Sequence, residues 1–413
     1  MIKYQEFTLD NGLQIIVHED HTLPLAVLNI LYKVGSRDEK EHKTGFAHLF
    51  EHLMFGGSAN IRSFDEPLQK VGGENNAFTS TDITNYYISL PAVNIETAFW
   101  LESDRMLDLS FEEKVLEVQR NVVVEEFKQR YLDNPYGDVW LNLRPLAYKV
   151  HPYRWPTIGK DISHIETATM EDVKSFFRRF YVPNNAIMVV AGDVRTDNIR
   201  KLAEKWFGPV PAGNEYKRHL PVEPVQTGTR RIKMEADVPL DAIYIAFHMP
   251  GRKDEEYHSF DLLSDIMGRG KASRLYQKLI KEKKMFNSIN AFVTGSIDPG
   301  LMVISGKIKN GVSPEDAEAE IINIIEEALK KGFTGEDLQK VKNQAYTSLA
   351  FQDVELLNRA MSLAYFSNLG DTDLVNKEQQ RIGSVSMASI MSASEKVFTS
   401  NNMNILNYNR LNK

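Results

Sequence analysis

The chain has 413 residues, of which 42% are hydrophobic and 25% charged, and its formal net charge is -7. This length fits two domains of roughly 200 residues better than one. An acidic chain without a basic stretch excludes the electrostatic footprint of a nucleic-acid-binding protein and disfavours an anionic membrane as partner. Because there is no cysteine, disulfides, thiolate ligands and a cysteine nucleophile are excluded, and any metal must be bound by histidines and carboxylates.

The first residues, Met1–Glu6, include charges and lack the apolar core of a secretion signal. No apolar run in the sequence approaches the roughly 18 residues that a membrane-spanning helix needs. We therefore expect a cytoplasmic protein, or a periplasmic one if a signal peptide has been removed.

An internal repeat relates the two halves of the chain. Leu23–Asp38 has a counterpart 215 residues later at Val238–Lys253, and in both copies a Pro-Leu pair leads into an apolar run and then a turn with glycine and arginine. This pattern predicts a strand that ends in a loop, and a helix follows in each copy. The predicted strands and helices are Val27–Tyr32 with Gly45–Phe55, and Ile243–Phe247 with Ser259–Met267.

Beyond the first repeat, Asn185–Asp193 predicts a strand, and a helix follows it to about Trp206. Prolines and glycines are then dense, as is typical of an interdomain linker. We predict an α+β fold of two duplicated mixed α/β domains, with a first domain at 1–207, a linker at 208–229 and a second domain at 230–413. Helices in the second domain are predicted at Pro314–Lys331 and Gly335–Gln352.

The first repeat contains a metal-binding pattern, His-x-x-Glu-His, at His48, Glu51 and His52. Residues i and i+4 lie on one face of a helix, so the two imidazoles can reach a single ion. Glu51 faces the same side, which suits a general base that activates the attacking water. The order is the inverse of the zincin motif. The alternative is a pair of exposed polar residues on an amphipathic helix.

Two observations favour the metal site over that alternative. The neighbours of the three residues are apolar, so the polar stripe is the only polar face of an otherwise buried helix. In the second repeat the corresponding positions are Leu262, Asp265 and Ile266. Residues needed only for packing should be alike in both copies, so this difference indicates chemistry in the first copy alone.

A peptidase zinc site needs a third protein ligand and leaves the fourth position open. The best candidate lies in the predicted helix Phe111–Tyr131. There Glu126 follows Val122 and Val123 on the apolar face, whereas Glu125 follows Asn121 and is more easily exposed. A carboxylate on a buried face needs a partner, and a dication is one. Glu126 is the predicted third ligand.

These residues resemble the pitrilysin, insulysin and mitochondrial-processing-peptidase family of zinc metallopeptidases. The resemblance covers the whole chain and includes Gly45–His48, the stretch Gly72–Thr79 and the segment Gln119–Glu126. It implies that the two domains form half of a clamshell that closes around a peptide. It also implies one Zn²⁺ per chain, held by His48, His52 and Glu126, with Glu51 as the catalytic base.

The resemblance further gives Asn76, Ala77, Phe78 and Thr79 a role in substrate binding, as a sheet edge to which an extended peptide adds as another strand. An edge strand presents unpaired N–H and C=O groups, which can bind main chain of any sequence. The alternative is an ordinary strand that leads into Ile83–Leu90.

Two positions depart from the family pattern. Family members often have a glutamate seven residues before the ligand glutamate, where this chain has Gln119, a candidate second-shell residue that keeps hydrogen-bonding capacity without the charge. Many members also have an Arg and, seven residues on, a Tyr that contact substrate, and here those positions are Ile280 and Asn287. We therefore expect a dimer, which could be a heterodimer with a related subunit that supplies the missing pair.

The predicted function is a zinc metalloendopeptidase acting on small or unfolded peptides within a closed chamber. The alternative is a catalytically weak or scaffold subunit of a peptidase-like heterodimer. Retention of His48, Glu51, His52 and Glu126 favours the enzyme, because a scaffold has no need of all four.

Overall fold

The structure, a computed structural model, describes residues 1–411 and divides them into two compact units. Unit 1 consists of Met1–Lys128, Trp155–Leu220 and Ala350–Lys377, and unit 2 of Gln129–Arg154, Pro221–Leu349 and 378–411. In the described part of the chain, no helix is both long and apolar enough to cross a membrane. The location in the cytoplasm or periplasm stays a prediction.

The strands form one sheet in each unit. In chain order they are β1 Gln5–Thr8, β2 Gln14–Glu19, β3 Leu25–Tyr32, β4 Glu74–Thr79, β5 Thr84–Pro91, β6 Ala186–Gly192, β7 Arg230–Ala236, β8 Ala242–Met249, β9 Phe286–Val293, β10 Gly300–Ile308 and β11 Met403–Arg410.

The helices surround these sheets. They are α1 Phe46–Leu53, α2 Asp65–Lys70, α3 Ile95–Leu107, α4 Glu113–Phe127, α5 Val139–Ala147, α6 Ser163–Glu166, α7 Met170–Phe180, α8 Thr196–Trp206, α9 Tyr257–Gly268, α10 Pro314–Lys331, α11 Gly335–Gln352, α12 Leu356–Leu369, α13 Leu374–Ser384 and α14 Met387–Val397.

The two sheets share one strand arrangement. Unit 1 has the order β1-β2-β6-β3-β5-β4, and unit 2 has β7-β11-β8-β10-β9. In each sheet one pair is parallel, β2 with β6 and β11 with β7, while the pairs that follow toward β4 and β9 are antiparallel. Five strands of unit 1 therefore correspond in order and direction to the five of unit 2. The predicted α+β fold of two duplicated domains is confirmed.

The core of unit 1 includes a helix from late in the chain. Side chains alternate across β3, so Val27 and Leu31 lie on one sheet face. There they pack with Ala360, Leu363 and Ala364 of α12 in one buried cluster. The apolar side of α12 is thus covered by the sheet of unit 1, although the helix follows most of unit 2 in sequence.

The core of unit 2, conversely, includes a helix from the first half of the chain. Leu143, Leu146 and Ala147 of α5 pack with Ala246 of β8 and Leu406 of β11. The predicted domain limits, 1–207, 208–229 and 230–413, are contiguous in sequence and so differ from the units, each of which also contains a segment from the other half. An amphipathic helix buries its apolar face against whichever sheet accepts it, and sequence position does not fix that choice.

Most predicted elements lie where expected. The predicted strands of the two repeats fall in β3 and β8 and the helices in α1 and α9, while α10 and α11 have the predicted bounds. No helix or strand lies between Trp206 and Arg230, in agreement with a linker. The helix predicted at Phe111–Tyr131 begins later, since Phe111 has a φ of 45°, outside the helical region, and it ends in a π-helical turn at Lys128–Leu132.

Candidate metal centre

Helix α1 carries His48, Glu51 and His52 on the side that is not packed in the core. The other side is buried and contains Phe46, Ala47, Leu49, Phe50 and Leu53. The side chain of His48 is 13% exposed and that of His52 24% exposed. The polar stripe predicted from the sequence is therefore present, and it is accessible to a ligand.

Aromatic packing fixes the buried side of α1. The ring of Phe50 stacks on Phe176 and on Tyr181, with centroids 4.9 Å and 5.0 Å away. The hydroxyl of Tyr86 donates a hydrogen bond to the carbonyl of Phe50 at 3.3 Å. Offset aromatic pairs add to the free energy of burial, so this packing holds the axis of α1 and the orientation of its polar side.

Glu126 lies near the end of α4, beside α1. Its side chain is 17% exposed, whereas that of Glu125 is 59% exposed and pairs with Lys128. The choice between the two glutamates thus agrees with their burial. One step of the reasoning was wrong, because Val123 is buried as expected but Val122 is 43% exposed.

The three candidate ligands converge. One carboxylate oxygen of Glu126, Oε2, lies 3.6 Å from Nε2 of His48 and 3.4 Å from Nε2 of His52. Ligand atoms about 2.1 Å from a tetrahedral zinc ion lie about 3.4 Å from one another. Two imidazoles and one carboxylate at these distances fit zinc with a fourth position open. Among residues 1–411 this is the one group of three or more such side chains close enough to share an ion.

Glu51 is half-buried next to this group. Burial raises the pKa of its carboxyl, and hydrogen bonds from the hydroxyl and the backbone N–H of Thr79 oppose that rise. A general base works best with a pKa near the operating pH, and it must be held in one orientation. Partial burial favours the first condition, because it raises the pKa of Glu51, and the contact with Thr79 favours the second.

The predicted substrate strand is β4, which lies at the edge of the sheet of unit 1 and, within residues 1–411, pairs with β5 alone. Asn76 and Phe78 are exposed, and Ala77 and Thr79 are half-buried. The side chain of Asn76 accepts a hydrogen bond from the backbone N–H of Ala77 at 2.8 Å. The edge position is confirmed, and the binding of substrate there stays a prediction.

Gln119 lies on α4 seven residues before Glu126 and is half-buried. Seven residues span about two helical turns, so both side chains project from similar directions of α4. The role of Gln119 as a hydrogen-bonding residue behind the metal ligands stays a prediction.

In unit 2 the corresponding helix, α9, has no such centre. Leu262 and Ile266 are buried in the core, and Asp265 pairs with Arg269 at 3.0 Å. Ile280 packs against the same core, and Asn287 is exposed on the edge strand β9.

The nearby Arg274 does not replace the missing arginine. Its guanidinium stacks on Phe333, 4.7 Å from the ring centroid, and donates a hydrogen bond to the carbonyl of Gly332 at 3.0 Å. These contacts give Arg274 a packing role within unit 2.

Residues 14–159 match the family described as Insulinase (Peptidase family M16), and residues 167–345 match the description Peptidase M16 inactive domain. The chain belongs to the M16 peptidase family. It is 32% identical to the zinc protease PqqE of Helicobacter pylori over 82% of this chain and 78% of that protein. It is 24% identical to the probable mitochondrial-processing peptidase subunit beta of Arabidopsis thaliana, over 83% of this chain and 66% of that one.

Solved structures agree with this assignment. The crystal structure of a protease from Helicobacter pylori matches with a TM-score of 0.92 and 27% identity, over 99% of this chain and 100% of that one. The peptidase M16 inactive domain from Pseudomonas fluorescens matches with a TM-score of 0.90 over 100% of this chain and 99% of that one, but at 17% identity it shows the fold alone. The family resemblance inferred from the sequence is confirmed.

Two contributions to the site were not predicted. One is Thr79, whose hydroxyl and backbone N–H lower the pKa of Glu51 and so connect the edge strand to the base. The other is Glu39, which accepts hydrogen bonds from the first turn of α1. One signal for the cap from Glu39 is present in the sequence. Gly45, at the start of α1, has no side chain to cap the helix, so a cap had to come from elsewhere.

Proposed function

We propose that the chain is a zinc-dependent metallopeptidase that hydrolyses peptide bonds of small or unfolded peptides in a closed chamber. The observation that carries this proposal is the convergence of His48, His52 and Glu126 within 4.8 Å of one another, with Glu51 beside them. The donor set, two imidazoles and a carboxylate with an open position, is typical of catalytic zinc.

Each group of the chain has a separate task in this proposal. Zinc, when bound by the three ligands, supplies Lewis-acid polarisation and lowers the pKa of water. The carboxylate of Glu51 accepts a proton from the attacking water and passes it to the leaving amine. The edge of β4 binds the main chain of the peptide as an added strand, a mode of binding that favours extended segments over folded proteins.

The decisive experiment compares metal content and cleavage in one preparation. Purified protein is expected to contain about one zinc per chain and to cleave a mixed peptide library, and chelator should abolish the cleavage. The variant Glu51→Gln should keep its zinc and lose cleavage, because the amide cannot accept the proton. Cleavage by Glu51→Gln at the wild-type rate would refute the role of Glu51.

A second candidate function is that of one subunit of a heterodimer, weak or inactive alone. It is supported by the side chains at Ile280 and Asn287, neither of which can supply a guanidinium or a phenol to a substrate. We propose that a subunit of related fold supplies the Arg and Tyr pair. Native mass spectrometry of the chain, alone and with such a subunit, should be run beside the cleavage assay. Full activity of the chain as a homodimer would contradict the heterodimer.

A further inference from the structure

The segment Gly35–Glu39, which we name the clamp segment, contacts the start of α1. Glu39 is 8% exposed, and both its carboxylate oxygens are engaged there. Oε2 accepts a hydrogen bond from the backbone N–H of Gly45 at 2.9 Å, and Oε1 accepts one from that of Ala47 at 2.8 Å. Glu39 therefore caps the helix that carries the candidate metal ligands, from a position six residues before Gly45.

Helix α1 depends on such an external cap. The first N–H groups of a helix have no partner inside the helix, and a side-chain oxygen normally accepts from them. Gly45 occupies the cap position with a φ of 88°. A Cβ there would lie 2.6 Å from the carbonyl oxygen of Ile158, so the position requires glycine. With only eight residues, α1 has little stability of its own.

The other end of the clamp segment is fastened to the turn between β4 and β5. The backbone N–H groups of Ser36 and Arg37 donate to the carbonyls of Ser80 and Thr81 at 3.2 Å and 3.0 Å. The guanidinium of Arg37 also pairs with Asp82 at 2.9 Å, and these side chains are 3% and 8% exposed. Buried ion pairs of this kind fix geometry more than they add stability.

We propose that the clamp segment sets α1 against β4 and that Glu39 is a positioning residue for the metal centre. A carboxylate that accepts from two N–H groups of one turn restrains both the direction of the helix axis and its rotation. Rotation of α1 would move His48 and His52 relative to Glu126, which lies on another helix. This inference rests on the metal site of the proposed function and adds a residue that contacts neither metal nor substrate.

The test uses the full chain in three variants. Glu39→Gln keeps one acceptor oxygen and places an NH₂ group against the second backbone N–H, and Glu39→Leu keeps no acceptor at a similar volume. Glu41→Gln is the matched control, since Glu41 is 56% exposed and pairs with Lys160 at the surface. The measurements are the visible spectrum of the Co²⁺-substituted protein, the zinc dissociation constant from chelator competition, and kcat and KM separately.

We expect zinc affinity to fall about tenfold in Glu39→Gln and further in Glu39→Leu, as when a residue that orients metal ligands is lost. The Co²⁺ spectrum should change in the same order, and kcat should fall more than KM rises. Glu41→Gln should match the wild type. If Glu39→Leu does not fold, Glu39→Gln alone decides. A lower unfolding midpoint in Glu39→Gln with unchanged zinc affinity and Co²⁺ spectrum would overturn the proposal and leave Glu39 a purely structural cap.

The Co²⁺ spectrum also separates this inference from the proposed function. A wild-type chain that binds Co²⁺ but cleaves no peptide would refute hydrolysis by the chain alone, while a changed spectrum in Glu39→Gln would still support the positioning role. A wild-type chain that binds neither Co²⁺ nor Zn²⁺ would overturn both.

Discussion

Thr79, the last residue of β4, lies beside Glu51, and its hydroxyl and backbone N–H both hold the pKa of the Glu51 carboxyl down against the effect of burial. Its hydroxyl also lies 3.5 Å from the carbonyl oxygen of Ala47, one turn earlier in α1. The strand proposed to bind the peptide and the residue proposed to activate water are thus joined by a single side chain. A shift of the edge strand would be transmitted to the base.

Replacing Thr79 with valine should therefore impair catalysis. The substitution keeps the shape and the backbone donor but removes the hydroxyl donor, at a loss of about 1.5 kcal/mol for a hydrogen bond to a charged group. By the usual relation between barrier and rate, kcat/KM for a peptide should fall about tenfold. Steady-state kinetics on a fluorogenic peptide would measure this.

The control for that variant is Thr79→Ser, which keeps the hydroxyl. It should retain kcat/KM within about threefold of the wild type if the hydrogen bond is what matters. Equal losses in Thr79→Ser and Thr79→Val would assign the effect to the lost methyl group instead.

Glu126 and Glu125 offer a matched pair for testing the third ligand. They are neighbours on α4, but Glu126 approaches both histidines whereas Glu125 pairs with Lys128 at the surface, at 2.6 Å. Glu126→Gln should weaken zinc binding by more than about 100-fold, the upper range for loss of a residue that only hydrogen-bonds to a metal ligand. Glu125→Gln should bind zinc like the wild type. Elemental analysis after dialysis measures both, and zinc retained in Glu126→Gln would contradict the ligand assignment.

The convergence of His48, His52 and Glu126 could be predicted from the sequence because its signals are local. Spacing within one helix places His48 and His52 on the same side, and only a few helical residues needed to be compared to choose Glu126. The strands of the repeat were equally local, since apolar runs such as Val27–Tyr32 end in recognisable turns. Each of these predictions could be made from the residues of one helix or one strand, without knowing what that helix or strand packs against.

The sequence did not predict the features that depend on which other helix, sheet or loop an element packs against. Helix α5 belongs to unit 2 and helix α12 to unit 1, although each lies in the other half of the sequence. The apolar face of either helix could pack against either sheet, so its sequence pattern does not show which sheet covers it. The cap from Glu39 likewise depends on a loop that returns to the start of α1. Nothing in the identity of Glu39 distinguishes it from Glu41, two residues later, which is exposed.

The second repeat provides a test of why only the first copy carries the candidate metal ligands. Leu262 and Ile266 occupy the positions of His48 and His52 but are 2% and 1% exposed. Installing histidine at both should cost about 2–4 kcal/mol at each position, because a buried polar ring replaces core packing. Urea denaturation should show this loss while the zinc content stays at about one per chain. A folded variant that contains two zinc ions per chain would show that burial of these two positions does not prevent metal binding.

Asp20 directly follows β2 and forms an ion pair with α12. Its carboxylate accepts hydrogen bonds from the N–H and hydroxyl of Thr22 at 3.0 Å and 2.7 Å and pairs with Arg359 of α12 at 2.7 Å. The hydrogen bonds from Thr22 and then the charge of Arg359 lower the pKa of Asp20 to about 2, from an ordinary 3.8. A lowered pKa means that the folded state favours the ionised carboxylate, so its contribution to stability exists above the unfolded-state value.

The variant Asp20→Asn should lower the free energy of unfolding by about 1–2 kcal/mol at neutral pH, a figure reduced from the full linkage value because the side chain is partly solvated. The difference from the wild type should stay constant from pH 7 to about pH 4 and narrow between about pH 4 and pH 2, as the wild-type carboxylate is protonated. The exposed pair of Asp371 with Lys377 at 3.2 Å is the control, and Asp371→Asn should change stability by less than about 0.5 kcal/mol. Urea denaturation across this pH range measures both variants, and a difference for Asp20→Asn that grew toward low pH would show that the sign of the linkage is wrong.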